Sequence, residues 1–171
     1  MKRLLVLLVL LLPASLLMTG CGERLPAGMP RLYPASITVT QEGTPLAGAL
    51  VQLIPEDPAN AAWGPGGTTN QSGVVVLRTN GAYLGAPLGT YKVTVSKTEM
   101  EPHPNPELRG GSEEDLRRSL AILRTLRTYS YVEPQYGSIR YTPLRIEITA
   151  RERNYTIDAG RKIRVEARTM P

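Results

Sequence analysis

The stretch from Thr68 to Ser96 constrains the fold more than any other. A turn, Asn70-Gln71-Ser72-Gly73, runs into the apolar segment Val74-Val75-Val76-Leu77. A Gly/Pro-rich crossing follows (Gly81, Gly85, Pro87, Gly89), and then Tyr91-Lys92-Val93-Thr94-Val95-Ser96 alternates apolar and polar residues without a break. A period of two puts successive side chains on opposite faces of a pleated strand, and turn residues bound each run. These segments therefore predict antiparallel strands with one wet face. The pattern recurs at Ser36–Thr40, Leu144–Thr149, Tyr155–Asp158 and Ile163–Arg168. Ala49–Ile54 is more apolar and so is expected nearer the middle of a sheet.

The N-terminus reads differently. Met1-Lys2-Arg3 is positive, Leu4 to Leu12 is an uninterrupted apolar run, and Pro13 to Gly20 leads to Cys21, the single cysteine of the chain. A positive start, an apolar core and small residues before a cut site make a secretory leader, and the run is marginal for the ~20 residues a bilayer crossing needs. Met18-Thr19-Gly20-Cys21 resembles the lipobox of bacterial lipoproteins, with Met18 where Leu is usual. The resemblance implies cleavage before Cys21, acylation of its thiol and an anchor in the membrane. Two or more acyl chains hold a protein firmly where one does not. Residues 1–20 are then leader, 21–34 a tether of Pro, Gly, Arg and Leu, and 35–171 one domain. With Cys21 acylated no disulfide forms, so stability must come from packing. Loss of Lys2 and Arg3 takes two from the formal charge of +5. Gly22 is not the Asp that marks inner-membrane retention in some bacteria, which tilts the expectation toward the outer membrane.

The domain itself carries a second resemblance. The order strand, Gly43-Thr44-Pro45-Leu46-Ala47-Gly48-Ala49, apolar strand, Pro55-Glu56, Thr69-Asn70-Gln71-Ser72-Gly73 and Pro87-Leu88-Gly89-Thr90-Tyr91-Lys92-Val93 looks like the carboxypeptidase-regulatory-like, or transthyretin-like, modules of secreted bacterial lipoproteins. Val132-Glu133-Pro134-Gln135-Tyr136-Gly137 and Thr142-Pro143-Leu144 extend it. Asn70 stands where the family usually has Asp, keeping a side-chain acceptor. The resemblance implies an all-β, transthyretin/prealbumin-like Greek-key β-sandwich of about seven strands that serves as a structural or binding accessory. The run Ile163–Arg168 lies beyond the family's usual end and is expected as an added edge strand.

An insertion at 97–128 interrupts this plan. Pro102, Pro104 and Pro106 predict extended chain there. The single histidine, His103, reads as a solvated loop residue, since no second histidine or thiol joins it. Ser112 with Asp115 three residues on forms a capping box, opening a helix over 112–127. Leu116, Leu120, Leu123 and Leu126 form a narrow apolar stripe, expected to pack on the sandwich. Arg117, Arg118 and Arg124 form its wet face. Residues 98–115 are strongly acidic and 139–171 basic. Either the two attract each other or the basic end meets anionic lipid or an acidic envelope polymer.

No catalytic constellation is legible. A Ser/His/Asp triad needs an oriented histidine, zinc needs three or four ligands, and calcium a carboxylate-rich loop. The hydroxyisourate hydrolases share the transthyretin fold, but the ending Ala167-Arg168-Thr169-Met170-Pro171 lacks their Tyr-Arg-Gly-Ser. A leader that removes the chain from the cytosol argues against nucleic acid. The expectation is a non-enzymatic, lipid-anchored cell-envelope module without cofactor or metal. It meets the membrane through Cys21 and contacts an envelope protein or polysaccharide. The alternative is a carbohydrate- or peptidoglycan-associated protein stacking sugar rings on the loop aromatics Trp63, Tyr83 and Tyr136. Trp63 is equally readable as a plug closing one end of the sandwich.

Overall fold

The computed structural model describes residues 25–167, the side chains of Arg109 and Gly110 excepted. The leader, Cys21 and the terminal residues from Arg168 lie outside the described residues. The described residues are mostly β, with one α-helix among them and thirteen strand segments in three sheets.

The first sheet is built on β1 (Ser36–Gln41), which pairs in parallel with β12 (Asn154–Asp158). Its other edge is shared by β5 (Val74–Val76), opposite Ser36–Thr38, and β2 (Thr44–Pro45), opposite Thr40 and Gln41. The second sheet runs β11-β8-β3-β4-β6-β7. Its members are β3 (Leu50–Pro55), β4 (Pro65–Thr68), β6 (Arg78–Thr79), β7 (Tyr83–Leu84), β8 (Gly89–Ser96) and β11 (Arg145–Ile148). Inward residues of both sheets form one core: Ile37, Val39, Val75 and Ile157 from the first, Val51, Leu53, Tyr91, Val93, Val95 and Ile148 from the second. The expected alternation recovers these strands and their inward faces, but not all of the pairing: β1 and β12 run parallel where antiparallel neighbours were expected, because a period of two reports which face is buried and not strand direction. β3 is central, between β8 and β4, yet its outward Leu50 stays exposed.

The organising turn is held as its residues require. The Asn70 Oδ1 accepts from the Ser72 and Val74 N–H groups at 2.9 and 3.0 Å. Gly73 sits at φ +73°, where a Cβ would come 2.7 Å from the Val39 carbonyl oxygen. Glycine is thus demanded twice, by backbone sign and by space.

The third sheet is a separate cap, ordered β13-β10-β9: β9 (Thr98–Met100), β10 (Thr128–Ser130) and β13 (Val165–Glu166). This corrects two expectations. The last strand is two residues long and belongs to the cap, not to a sandwich edge, because Ala167 N–H and the residues before it bond back to β10. The Pro-rich segment is not extended throughout, since a 3-10 turn forms at Pro106–Gly110 once the proline spacing ends.

Helix α1 (Glu113–Leu123) has the expected capping box: Ser112 Oγ accepts from the Asp115 N–H and the Asp115 carboxylate from the Ser112 N–H. It stops short of residue 127 and is rotated from the expected face. Ser119 is its buried residue, while Leu116 and Leu120 are 47% and 48% exposed. The helix packs against the Pro106–Gly110 turn rather than on the sandwich, so the stripe is only partly covered.

Candidate functional site

Strand directions give the sandwich two unlike poles. The chain enters at the first, where Tyr33 and Ala86 exchange two backbone hydrogen bonds (2.8 and 2.9 Å), Leu77 N–H bonds Ala35 O (2.9 Å), and Ser36 N–H bonds Arg153 O (2.7 Å). β1, β8 and β12 all run away from this entry pole. The loops at 56–64, 80–82, 85–88 and 149–153 therefore gather at it.

Trp63 stands here, after a 3-10 turn (Pro58–Asn60) whose first N–H is capped by Asp57. Its own N–H bonds Asn60 O at 2.8 Å. The ring is half-buried and is not among the described hydrophobics packed on the core, which leaves the plug reading without support. Tyr83, half-buried on β7 opposite Thr79, shares this pole. Tyr136 does not. Its carbonyl accepts from Val95 N–H (2.9 Å), at the distal end of β8, and its ring packs on the core beside Gly160. The three aromatics do not form one platform.

The far pole carries the cap and α1. Gln41, buried at the end of β1, donates through its amide to Tyr131 O (2.9 Å) and Arg161 O (3.1 Å), and Tyr131 N–H bonds Lys97 O (2.9 Å). Glu99 and Glu101 of the insertion are held here chiefly by Lys97, Arg127 and Tyr129, with Arg164 of the C-terminal region adding to them. A hydrogen bond from the Lys97 ammonium (3.1 Å) holds the Glu99 carboxyl below its usual range, with Tyr131 and Arg164 adding to it. Glu101 is lowered first by the Arg127 backbone N–H (3.1 Å), then by the Tyr129 hydroxyl (3.0 Å). The Arg164 guanidinium lies 4.1 Å from the Tyr129 ring centroid, a cation–π contact. Elsewhere the charges pair locally or with other elements: Glu113 with Arg117 and Glu114 with Arg118 in the helix, Arg145 with Glu56, and Arg161 with Glu133.

His103 is also here, and it corrects the expectation of a solvated loop residue: it is 8% exposed. Asn105 N–H donates to Nδ1 at 3.0 Å, which assigns the proton of a neutral ring to Nε2. Nε2 lies 3.4 Å from the Ser119 carbonyl oxygen and 3.3 Å from Ser119 Oγ. A nitrogen that carries its proton cannot take one from the hydroxyl. The pair is a clasp between the Pro-rich loop and α1, a feature with no signature in residue spacing.

A groove of about 590 Å³ runs over the outer face of the second sheet, between Leu50, Ile54 and Ile139 on one side and Arg78 and Asn80 on the other. Its floor is bare at Gly66 of β4, whereas its neighbour Gly67 faces inward, where a Cβ would meet Val75 of the core at 2.8 Å. That glycine pair was the available sequence signal for it. Arg78 is engaged, its Nη1 donating to Ala82 O at 2.6 Å.

Among the described residues no group of three or more His, Cys, Asp or Glu is placed to hold a metal. No described helix is long and apolar enough to cross a membrane. No family model, curated protein or solved structure matches the chain. The class that the fold and its poles define is a two-sheet β domain with a polar cap at the end opposite chain entry.

Proposed function

We propose that the protein is a lipid-anchored accessory module of the bacterial cell envelope, without chemistry of its own, which holds its far pole out toward an envelope partner. We assign the sandwich to the transthyretin-like Greek-key type. The non-sequential strand orders of the two sheets support this, since they require repeated crossings between layers. The observation that carries the reading is the placement of the chain's single cysteine at the end of its apolar leader, ahead of a short tether that enters the domain at one pole. The polysaccharide reading has weaker support, because Trp63 and Tyr83 lie at the entry pole and Tyr136 at the other.

Two measurements on the full chain test the proposal. Labelled palmitate should enter the wild-type protein and not Cys21→Ser, and carbonate washing should release the variant from membranes but not the wild type. Retention of unlabelled Cys21→Ser in washed membranes refutes the anchor. Crosslinking in cells from positions in the cap should capture envelope proteins, and capture only from the second-sheet groove refutes the assignment of the far pole.

A further inference from the structure

The geometry points to the entry pole as a membrane-seated face: the sandwich stands on the bilayer that holds its anchor, with Trp63 at headgroup level and α1 turned away from lipid. The inference rests on the reading of Cys21 as the anchor and goes beyond it by assigning the face that meets lipid. Reach is the first argument. Twelve residue-to-residue steps separate Cys21 from Tyr33, at most about 40 Å of extended chain, and the turn closed by Met29 N–H on Pro26 O shortens that span. The eight residues of β8 alone hold the poles about 26 Å apart, and the cap adds its own depth. The anchor reaches lipid easily from the entry pole. From the far pole it would have to run the length of the domain.

The second argument is what that pole exposes. Val76, Leu84 and Leu88 are exposed around the Tyr33–Ala86 clamp. Val76 pairs with Ser36, and it lines one shallow hollow with Pro34 and Arg153. Leu84 directly precedes Gly85, which bridges Arg78, and the Leu88 carbonyl accepts from the Asn60 amide. Exposed apolar side chains at the end where the tether enters, together with the Arg31 guanidinium stacked on Tyr33, match a surface of acyl chains under anionic headgroups. The third argument is Trp63, the single tryptophan. A partly exposed indole suits the interface, where its ring and N–H find apolar and wet surroundings together.

Trp63 is also the probe. The acylated full chain is reconstituted into phosphatidylcholine/phosphatidylglycerol vesicles whose acyl chains are brominated near the headgroup. A pole seated about 5–10 Å into the boundary should lose roughly half of its Trp63 emission. Leu84→Asp/Leu88→Asp should float with the vesicles and recover most of that emission. Trp63→Phe/Leu120→Trp, which moves the single indole to α1, should show no quenching. If the wild type floats unquenched, or the indole on α1 is quenched instead, the seating is refuted and the anchor stands. If the wild type does not float, the anchor reading fails and takes the seating with it.

Discussion

Tyr91 offers a stability measurement whose sign can be worked out in advance. Its ring lies in the core at 1% exposure, and its hydroxyl donates to Pro87 O at 2.7 Å. Burial without a compensating cation pushes the phenol up from 10.0 to about 12. Below pH 10 both folded and unfolded chains hold this proton, and the group adds no pH dependence. Between pH 10 and 12 the unfolded chain releases it while the folded chain keeps it, so stability falls as pH rises and levels off above 12. Two units at about 1.36 kcal/mol each give a loss of about 2–3 kcal/mol across that window. Tyr91→Phe removes the titration and, near neutral pH, costs about 1–2 kcal/mol through the lost hydrogen bond and the Pro87 carbonyl left behind. Urea denaturation of the full chain in detergent, followed by circular dichroism from pH 8 to 12, compares the two proteins. Lysines and the other tyrosines, common to both, cancel in the difference. The wild type should be the more stable at pH 8 and lose that advantage, or fall below the variant, by pH 12. Parallel curves over the whole range would refute the argument.

Three further outcomes are expected. Thr69→Val should lower stability by about 2–4 kcal/mol, read as a shift in urea midpoint. It removes a hydroxyl that donates to Leu46 O (2.6 Å) and accepts from Ala49 N–H (2.8 Å), stranding two backbone groups. Gly85→Ala should loosen chain entry, because φ is +99° and the new Cβ would meet Tyr33 O at 2.6 Å; proteolytic nicking near residues 30–34 should accelerate while the core strands stay protected. Gln41→Leu should speed amide exchange in β9 and β10 roughly tenfold, equivalent to about 1.4 kcal/mol, with β3 and β8 unchanged. Equal acceleration everywhere would mean that the cap is not hinged there.

The sandwich was legible because its signal is local. In β1, β8, β11 and β12 a residue's neighbours two away share its face, so alternation reports burial directly. The helix cap was legible for the same reason: Ser112 and Asp115 complete one reciprocal contact within a single turn. What failed depended on a partner distant in sequence. The spacing of Leu116 and Leu120 defines an apolar stripe but not what covers it, and the helix instead turns Ser119 inward onto His103, sixteen residues earlier. The last strand alternates over six residues, yet among the described residues its pairing covers Val165 and Glu166, followed by the Ala167 N–H on Thr128 O, because β10 offers three residues as a template. The three aromatics read as one loop end because sequence does not state strand direction; register separates Tyr136 from Trp63 by the length of β8.

The two parts of the domain are held by different forces, and this bears on which part can respond to a partner. The core contains no residue between Val95 and Val132, so the insertion with α1 contributes nothing to it among the described residues. The cap instead is joined through the Gln41 amide and the Tyr131–Lys97 bond, and internally through Glu101, the Lys97–Glu99 pair, Arg127 with Glu166 at 3.7 Å, and Arg164 over Tyr129. Solvent screens exposed pairs of this kind, so each contributes little beside a buried aliphatic side chain at about 1.5–3 kcal/mol. Opening the cap therefore costs a fraction of global unfolding, and the low-stability unit of the molecule is the one farthest from the tether. A rigid sandwich then fixes the height and orientation of a pliable end, and contact with a partner can reshape that end without disturbing the fold that carries it.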